Sequence, residues 1–150
     1  MTVGNIARVP VGDLADDDCA LFLWAICPML PDALRVMEAW GFKFKTVAFT
    51  WAKTTRSSTD AWLYAPRWHI GMGYWTRANS ELCLLGTRGK PKRKAKEVRQ
   101  LIVAPVREHS RKPDEQYGLI ERLCEGPRIE LFARHRRRGW RSWGIEADKF

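Results

Sequence analysis

Apolar positions fall into a few runs separated by charged or turn-forming stretches, and the period of each run assigns an element. Ala20 to Ile26 is continuously apolar, bounded by Asp16, Asp17 and Asp18 on one side and Pro28 on the other. Such a closed run predicts a strand buried on both faces. Pro31 to Trp40 predicts a helix, with Pro31 in the first turn, Asp32 near the positive end, Leu34 and Met37 on one face, and Gly41 as the stop. Phe44 to Trp51, rich in β-branched and aromatic residues, predicts a second strand. Glu81 to Gly86 predicts a third and Gln100 to Ala104 a short fourth. Pro113 to Cys124 predicts a helix whose face is Tyr117, Ile120 and Cys124, with Gly126 and Pro127 beyond it. Ile129 to Ala133 predicts the last strand. This order describes an α/β layered sheet of mixed strand direction.

Residues 53–80 show no convincing period. Ser57, Ser58, Pro66, Gly71 and Gly73 punctuate them, while Trp62, Tyr64, Trp68, Tyr74 and Trp75 crowd in. A loop this long in a compact domain is usually functional or mobile. Its aromatics fit either a small core under the loop or a platform on which a base stacks.

At 150 residues, with 45% apolar and 11% aromatic content, the chain predicts one domain, 1–150, with a real core, and excludes a disordered segment. The longest apolar run, Cys19 to Cys27, is too short to span a bilayer, and the first twenty residues hold no apolar signal core. A cytoplasmic, membrane-free protein is the expectation. Four cysteines and three histidines are scattered without zinc spacing, which predicts reduced thiols and no metal.

Charge changes the picture more. Residues 1–85 hold eight Lys/Arg against eight Asp/Glu, whereas residues 86–150 hold eighteen against nine and so carry the whole net charge of +9. One basic run spans Arg88 to Arg99 and includes Lys92, Arg93 and Lys94; the other spans Arg134 to Arg141. A single run is as readily a solvated face. Two in one half of a small domain point to a polyanion, with nucleic acid foremost, and Lys92, Arg93 and Lys94 are candidate substrate contacts.

Several segments read together as a family. They are Leu21-Phe-Leu-Trp24, Trp51-Ala-Lys-Thr54, Gly73-Tyr-Trp-Thr-Arg-Ala-Asn-Ser-Glu81, Leu85-Gly-Thr-Arg-Gly89, His109-Ser-Arg-Lys-Pro-Asp-Glu115, Ile120-Glu-Arg-Leu123, Gly126-Pro-Arg128, Glu130-Leu-Phe-Ala-Arg134 and Gly139-Trp-Arg-Ser-Trp-Gly144. In this order, over nearly the whole chain, they resemble the MT-A-seventy group of adenine-N6 methyltransferases, and Gly-Tyr-Trp-Thr-Arg is similar to its bacterial and phage members. The resemblance implies a Rossmann-like methyltransferase fold that uses S-adenosylmethionine to methylate adenine in nucleic acid, DNA being favoured over RNA, by a direct displacement that needs no metal.

It also implies roles. Lys112 is expected to hold the methionyl carboxylate of the cofactor. Glu130, Phe132 and Arg134 are expected cofactor contacts on what the resemblance makes the first strand of the methyltransferase sheet, with Phe132 flanking adenosine and Arg134 reaching the ribose. Glu81 is expected beside the target adenine, able to accept from its amino group. Trp51 and Trp75 match aromatic positions near the same pocket, with core packing the equal alternative.

Two features depart from the pattern. The catalytic Asp-Pro-Pro-Trp is absent, and the sequence has no Pro-Pro pair. In relatives that motif ends a strand upstream of the segment matching Asn5 to Asp18, so the expectation is an incomplete fold whose central catalytic strand is missing. The strands at 20–26 and 129–133 are then expected to pair directly or to recruit another chain as a homo- or hetero-oligomer. Relatives also tend to carry an amide after Trp-x-x-Trp-Gly to bind ribose. Here Ile145 follows, and Glu146 is the candidate replacement. A noncatalytic nucleic-acid-binding subunit is the alternative reading, and an inactive gene remnant a third.

Overall fold

The computed structural model describes residues 1–56 and 67–149. Trp62 and Tyr64 of the aromatic loop lie outside the described residues.

A short helix α1 (Val3–Ala7) leads through a 3-10 turn (Val11–Asp13) into strand β1 (Cys19–Ala25). A second 3-10 turn (Cys27–Met29) opens helix α2 (Leu30–Ala39), followed by β2 (Lys43–Thr54), β3 (Ser80–Arg88) and β4 (Leu101–Pro105). Helix α3 (Glu115–Leu123) and strands β5 (Ile129–Leu131) and β6 (Arg141–Trp143) complete the chain. The main sheet has the order β1-β3-β2-β4, with β3 antiparallel to β1 and β2, and β4 parallel to β2. Mixed strand direction in an α/β domain is as the hydrophobic pattern predicts.

Period-two alternation gives each sheet face its own core. On one face Leu21, Leu23, Ala25, Val47 and Leu84 pack under α2, which presents Val36 and Met37, with Trp40 just after it. Leu34 is on the outside of α2, not on its buried face as the spacing predicts, because the stripe facing the sheet runs through Ala33, Met37 and Trp40. Met37 can lie flat on β3 because Gly86 has no side chain; a Cβ there would come 2.7 Å from the Met37 sulfur. The other face stacks Phe22 and Trp24 of β1, Phe49 and Trp51 of β2, Cys83 of β3, and Ile102 and Ala104 of β4 beneath Ile120 of α3. Bulges between Phe44 and Thr46 and between Val47 and Phe49 reset the alternation of β2, so that Val47 faces α2 while Phe49 and Trp51 face α3.

The last predicted strand differs most. It ends at Leu131 rather than Ala133, because Phe132 takes a left-handed backbone (φ 58°) that breaks extension. It also stays out of the main sheet and pairs in parallel with β6 as a separate two-stranded ribbon. The expected direct pairing of the strands at 20–26 and 129–133 is therefore not adopted. The edge of β1 away from β3 has no ladder partner among the described residues.

Ahead of β3, residues 67–79 are tied to the end of β2 by hydrogen bonds from Thr55 N to Arg67 O and from His69 N to Lys53 O. Trp68, Tyr74 and Trp75 stand exposed along this stretch, so these three form no core of their own. Among the described residues no helix is long and apolar enough to cross a membrane, and the four cysteines are free.

Candidate active site

The β2–β3 register sets Trp51 opposite Glu81, and β1 sets Trp24 opposite Cys83. Alternation then puts Glu81, Trp51, Lys53 and Trp24 on one face, at the end of the sheet where β3 begins. Over this end arrives the 109–112 loop leading to α3. Glu81 Oε1 accepts from Lys53 Nζ at 2.7 Å, and Glu81 Oε2 accepts from Lys112 Nζ. Two indoles wall the cluster: Lys53 Nζ lies 4.9 Å from the Trp51 ring and Lys112 Nζ 6.0 Å from the Trp24 ring. Those rings meet edge to face at 6.4 Å, and α3 fixes the Trp24 ring through buried Gln116, whose Oε1 accepts from Trp24 Nε1 at 2.5 Å.

Glu81 is only 9% exposed. Burial alone would raise its pKa, but the charge and hydrogen bond of Lys112, joined by Lys53, outweigh it and hold the carboxyl below its ordinary value. One carboxylate between two ammonium groups leaves a net positive charge in a largely dry, aromatic-lined site. Such a site favours an anionic group and keeps a carboxylate at hand as acceptor.

A second group lies at the end of β5. Arg134 donates to His109 O at 2.5 Å and pairs through Nε with Glu146 Oε2 at 3.1 Å, while Lys149 Nζ lies 2.7 Å from Glu146 Oε1. The Lys149 hydrogen bond is the first cause of the lowered Glu146 pKa, with Arg134 adding to it. Phe132 turns outward, 40% exposed, with its ring 5.4 Å from that of Trp143. The 109–112 loop joins the two groups: its first carbonyl is held by Arg134, and its Lys112 reaches Glu81.

The structure thus gathers Glu81, Lys112 and Trp51 at one end of the sheet, and Phe132, Arg134 and Glu146 around the β5 turn. Trp51 itself is sealed at 3% exposure and donates to Ala104 O at 2.9 Å. Glu130 faces α3, where both its oxygens accept from the Tyr117 hydroxyl at 3.0 Å. Burial is the main reason its carboxyl is raised above the ordinary value. Trp75 projects from the 67–79 segment at 95% exposure with a left-handed backbone (φ 74°). Lys92 and Arg93 are exposed in the basic loop, and Lys94 pairs with Glu125 at 3.0 Å.

Sequence reasoning missed Lys53, Trp24 and Gln116 as members of the site. Lys53 was within reach: it lies two residues after Trp51, on the same face of any strand that continues past Trp51.

The MT-A70 family model matches residues 1–146. The chain is 33% identical over 148 residues to the Type II methyltransferase M.MunI of Mycoplasma sp, covering 95% of this chain and 56% of that protein. It is 33% identical over 157 residues to the N(6)-adenosine-methyltransferase MT-A70-like protein of Arabidopsis thaliana, covering 94% and 22%. It is 34% identical over 137 residues to the N(6)-adenosine-methyltransferase catalytic subunit METTL3 of Homo sapiens, covering 89% and 22%. The chain therefore spans little more than half of the first relative and about a fifth of the other two. The chain belongs to the MT-A70 family.

Proposed function

We propose that this chain is the larger part of a Rossmann-like, S-adenosylmethionine-dependent adenine-N6 methyltransferase domain that acts on nucleic acid in the cytoplasm, with DNA the favoured substrate. The observation that carries this reading is the Lys53–Glu81–Lys112 cluster walled by Trp24 and Trp51. Its surplus positive charge fits the cofactor's carboxylate, taken by Lys112, and leaves a Glu81 oxygen to accept from the adenine amino group. Phe132, exposed beside Arg134 and Glu146, fits an adenosine whose ribose hydroxyls bond to those two side chains. Bound there, the cofactor supplies a methyl group on a positively charged sulfur. The chain's own residues orient the base, keep the Glu81 side dry and hold the acceptor charged.

The sequence has no Pro-Pro pair. The reading therefore assigns the Asp-Pro-Pro-Trp that clamps adenine in relatives to chain outside these 150 residues, brought in beside the open edge of β1. Clamping of this kind is worth roughly 7–11 kcal/mol of barrier. With methyl-labelled cofactor and adenine-containing duplexes, the 150-residue chain is expected to give background incorporation. A form with an Asp-Pro-Pro-Trp strand fused ahead of Met1 is expected to transfer methyl. Failure of both forms to bind the cofactor overturns the reading. The exposed basic segments favour a second reading, a noncatalytic nucleic-acid-binding subunit. That protein would bind duplex without binding cofactor, and Lys112→Met would leave it unchanged.

A further inference from the structure

The basic loop opens at the far end of the sheet from Glu81 and comes back beside β2, where the Gln100 carbonyl accepts from Thr50 N at 2.9 Å. Strand β3 begins at the site with Ser80 and Glu81 and ends at Arg88, where the loop opens. Seven residue steps of strand lead from Glu81 to Arg88, about 23 Å at roughly 3.3 Å per residue. The opening half of that loop, from Arg88 to Lys94 at the C-terminal end of α3, stays away from a base held at Glu81.

Helix α3 nevertheless connects the two ends. Its N-terminal side carries the 109–112 loop with Lys112. The basic loop docks on its C-terminal end: Lys94 N donates to Leu123 O at 2.8 Å, Arg122 pairs with Glu97 at 2.6 Å and Lys94 pairs with Glu125 at 3.0 Å. The second basic segment runs beside the same helix. Arg134 bonds the His109 carbonyl at one end. Further along, the Arg137 guanidinium lies 4.7 Å from the Tyr117 ring, and Trp140 Nε1 donates to Glu121 Oε1 at 2.7 Å. Residues 136–142 line an open cleft of about 660 Å³ that carries four arginines.

These segments keep some cations for their own packing and leave others free. Arg136 pairs with Asp148, Arg137 with Glu121, and Lys94 with Glu125. Lys92, Arg93, Lys96 and Arg99 in the loop, with Arg138 and Arg141 beside the cleft, are exposed and form no ion pair among the described residues. Like charges crowded along one helix repel each other, and a polyanion laid across them relieves that repulsion.

We propose that the flank of α3 is a phosphate track for duplex DNA, running from the Glu81 end past Arg138 and Arg141 to the basic loop. This rests on the reading that Glu81 receives the target adenine. At about 3.4 Å per base step, the loop then meets backbone phosphates roughly seven steps from that adenine. A duplex is stiff over such a distance, since its persistence length is about 50 nm, so its two backbones, winding about one straight axis, bring phosphates to both ends of the flank.

The test uses the 150-residue chain and fluorescent duplexes extending about 4 or about 9 base pairs beyond a single adenine, a choice that brackets the roughly 3.4 Å-per-step span. Affinity is measured across a range of salt concentrations. The longer duplex is expected to show the steeper dependence, by about 0.9 in log K per log salt for each added phosphate contact. Lys92→Ala, Arg93→Ala and Lys96→Ala together bring its slope down to that of the shorter duplex, whereas Arg138→Ala with Arg141→Ala flattens both. Equal slopes at the two lengths, with the triple variant unchanged, overturn the track while leaving the nucleic-acid reading standing. No binding to either duplex at low salt overturns both. Tighter binding of an RNA duplex of the same length overturns the assignment to DNA.

Discussion

Glu81 keeps a negative charge at a position almost closed to water because Lys53 and Lys112 each take one of its oxygens. Lys112→Met removes one charge-assisted hydrogen bond but leaves Glu81 paired with Lys53, so it is expected to cost about 1.5–3 kcal/mol in urea unfolding. The folded pKa lies below the ordinary value of 4.5. Charged Glu81 therefore stabilises the fold above that value, and the increment is lost as pH falls through the folded pKa. The melting-temperature gap between wild type and Glu81→Gln is expected to be widest near neutral pH and to close in acid; a gap independent of pH contradicts the assignment. Glu130 has the opposite sign. Burial raises its pKa, so its contribution is favourable below the ordinary value and is lost as pH rises through the raised folded value. Gln at this position still accepts from Tyr117 without a buried charge. Glu130→Gln is expected to raise the melting temperature at neutral pH and leave cofactor affinity unchanged. Reduced cofactor affinity would give Glu130 the binding role its motif implies.

At the scale of elements, segments with an apolar period of their own were readable, down to the five-residue β4, and segments without one were not. The helix expected at 31–40 runs 30–39, and the strand expected at 81–86 runs 80–88, because each has an apolar stripe that a neighbouring layer covers. Helix α1 has five residues, too few to be stable from propensity alone; it stands because its Ile6 carbonyl accepts from Trp40 Nε1 at 3.1 Å. Strand β6 is Arg-Ser-Trp, whose only strand signal is its tertiary partner β5. The end of β2 is hidden in the sequence because Lys53 and Thr54 look like loop residues until the Glu81 carboxylate is placed within reach of the Lys53 ammonium. The candidate site was legible through its family motifs, while its charge balance depends on Lys53, which strand alternation from Trp51 marks only once β2 is known to continue past Trp51. Packing at Gly86 gives a test at this scale. Its missing Cβ is the space Met37 occupies, so Gly86→Ala is expected to cost about 1–3 kcal/mol through overpacking. Met37→Ala relieves that clash, so the double variant should be more stable than the sum of the single losses allows. Strict additivity in denaturant titrations would mean that the α2–β3 approach is not what makes Gly86 matter.

Across the whole molecule, the two sheet faces are each covered by helices, yet the β1 edge is not paired. Strand β1 hydrogen-bonds only to β3, and its outward backbone groups have no backbone partner among the described residues. A seven-residue strand of Cys-Ala-Leu-Phe-Leu-Trp-Ala carries no charge and no proline, so it lacks the usual devices that keep such an edge from pairing. Strand β5 does not fill the place, since its own ladder is with β6. An edge of this kind gains main-chain hydrogen bonds from any added strand, whether from further chain, as the proposed function requires, or from another molecule. The purified 150-residue chain, at 17.4 kDa, is therefore expected to associate as its concentration rises. Sedimentation should show mass above the monomer. Residue-resolved amide exchange should show every second amide of Cys19–Ala25 unprotected when dilute and protected when concentrated. Fusing an upstream strand should protect those same amides at all concentrations and abolish the association. A chain that stays monomeric at high concentration, with the alternating exchange pattern unchanged, would show that the exposed edge recruits nothing.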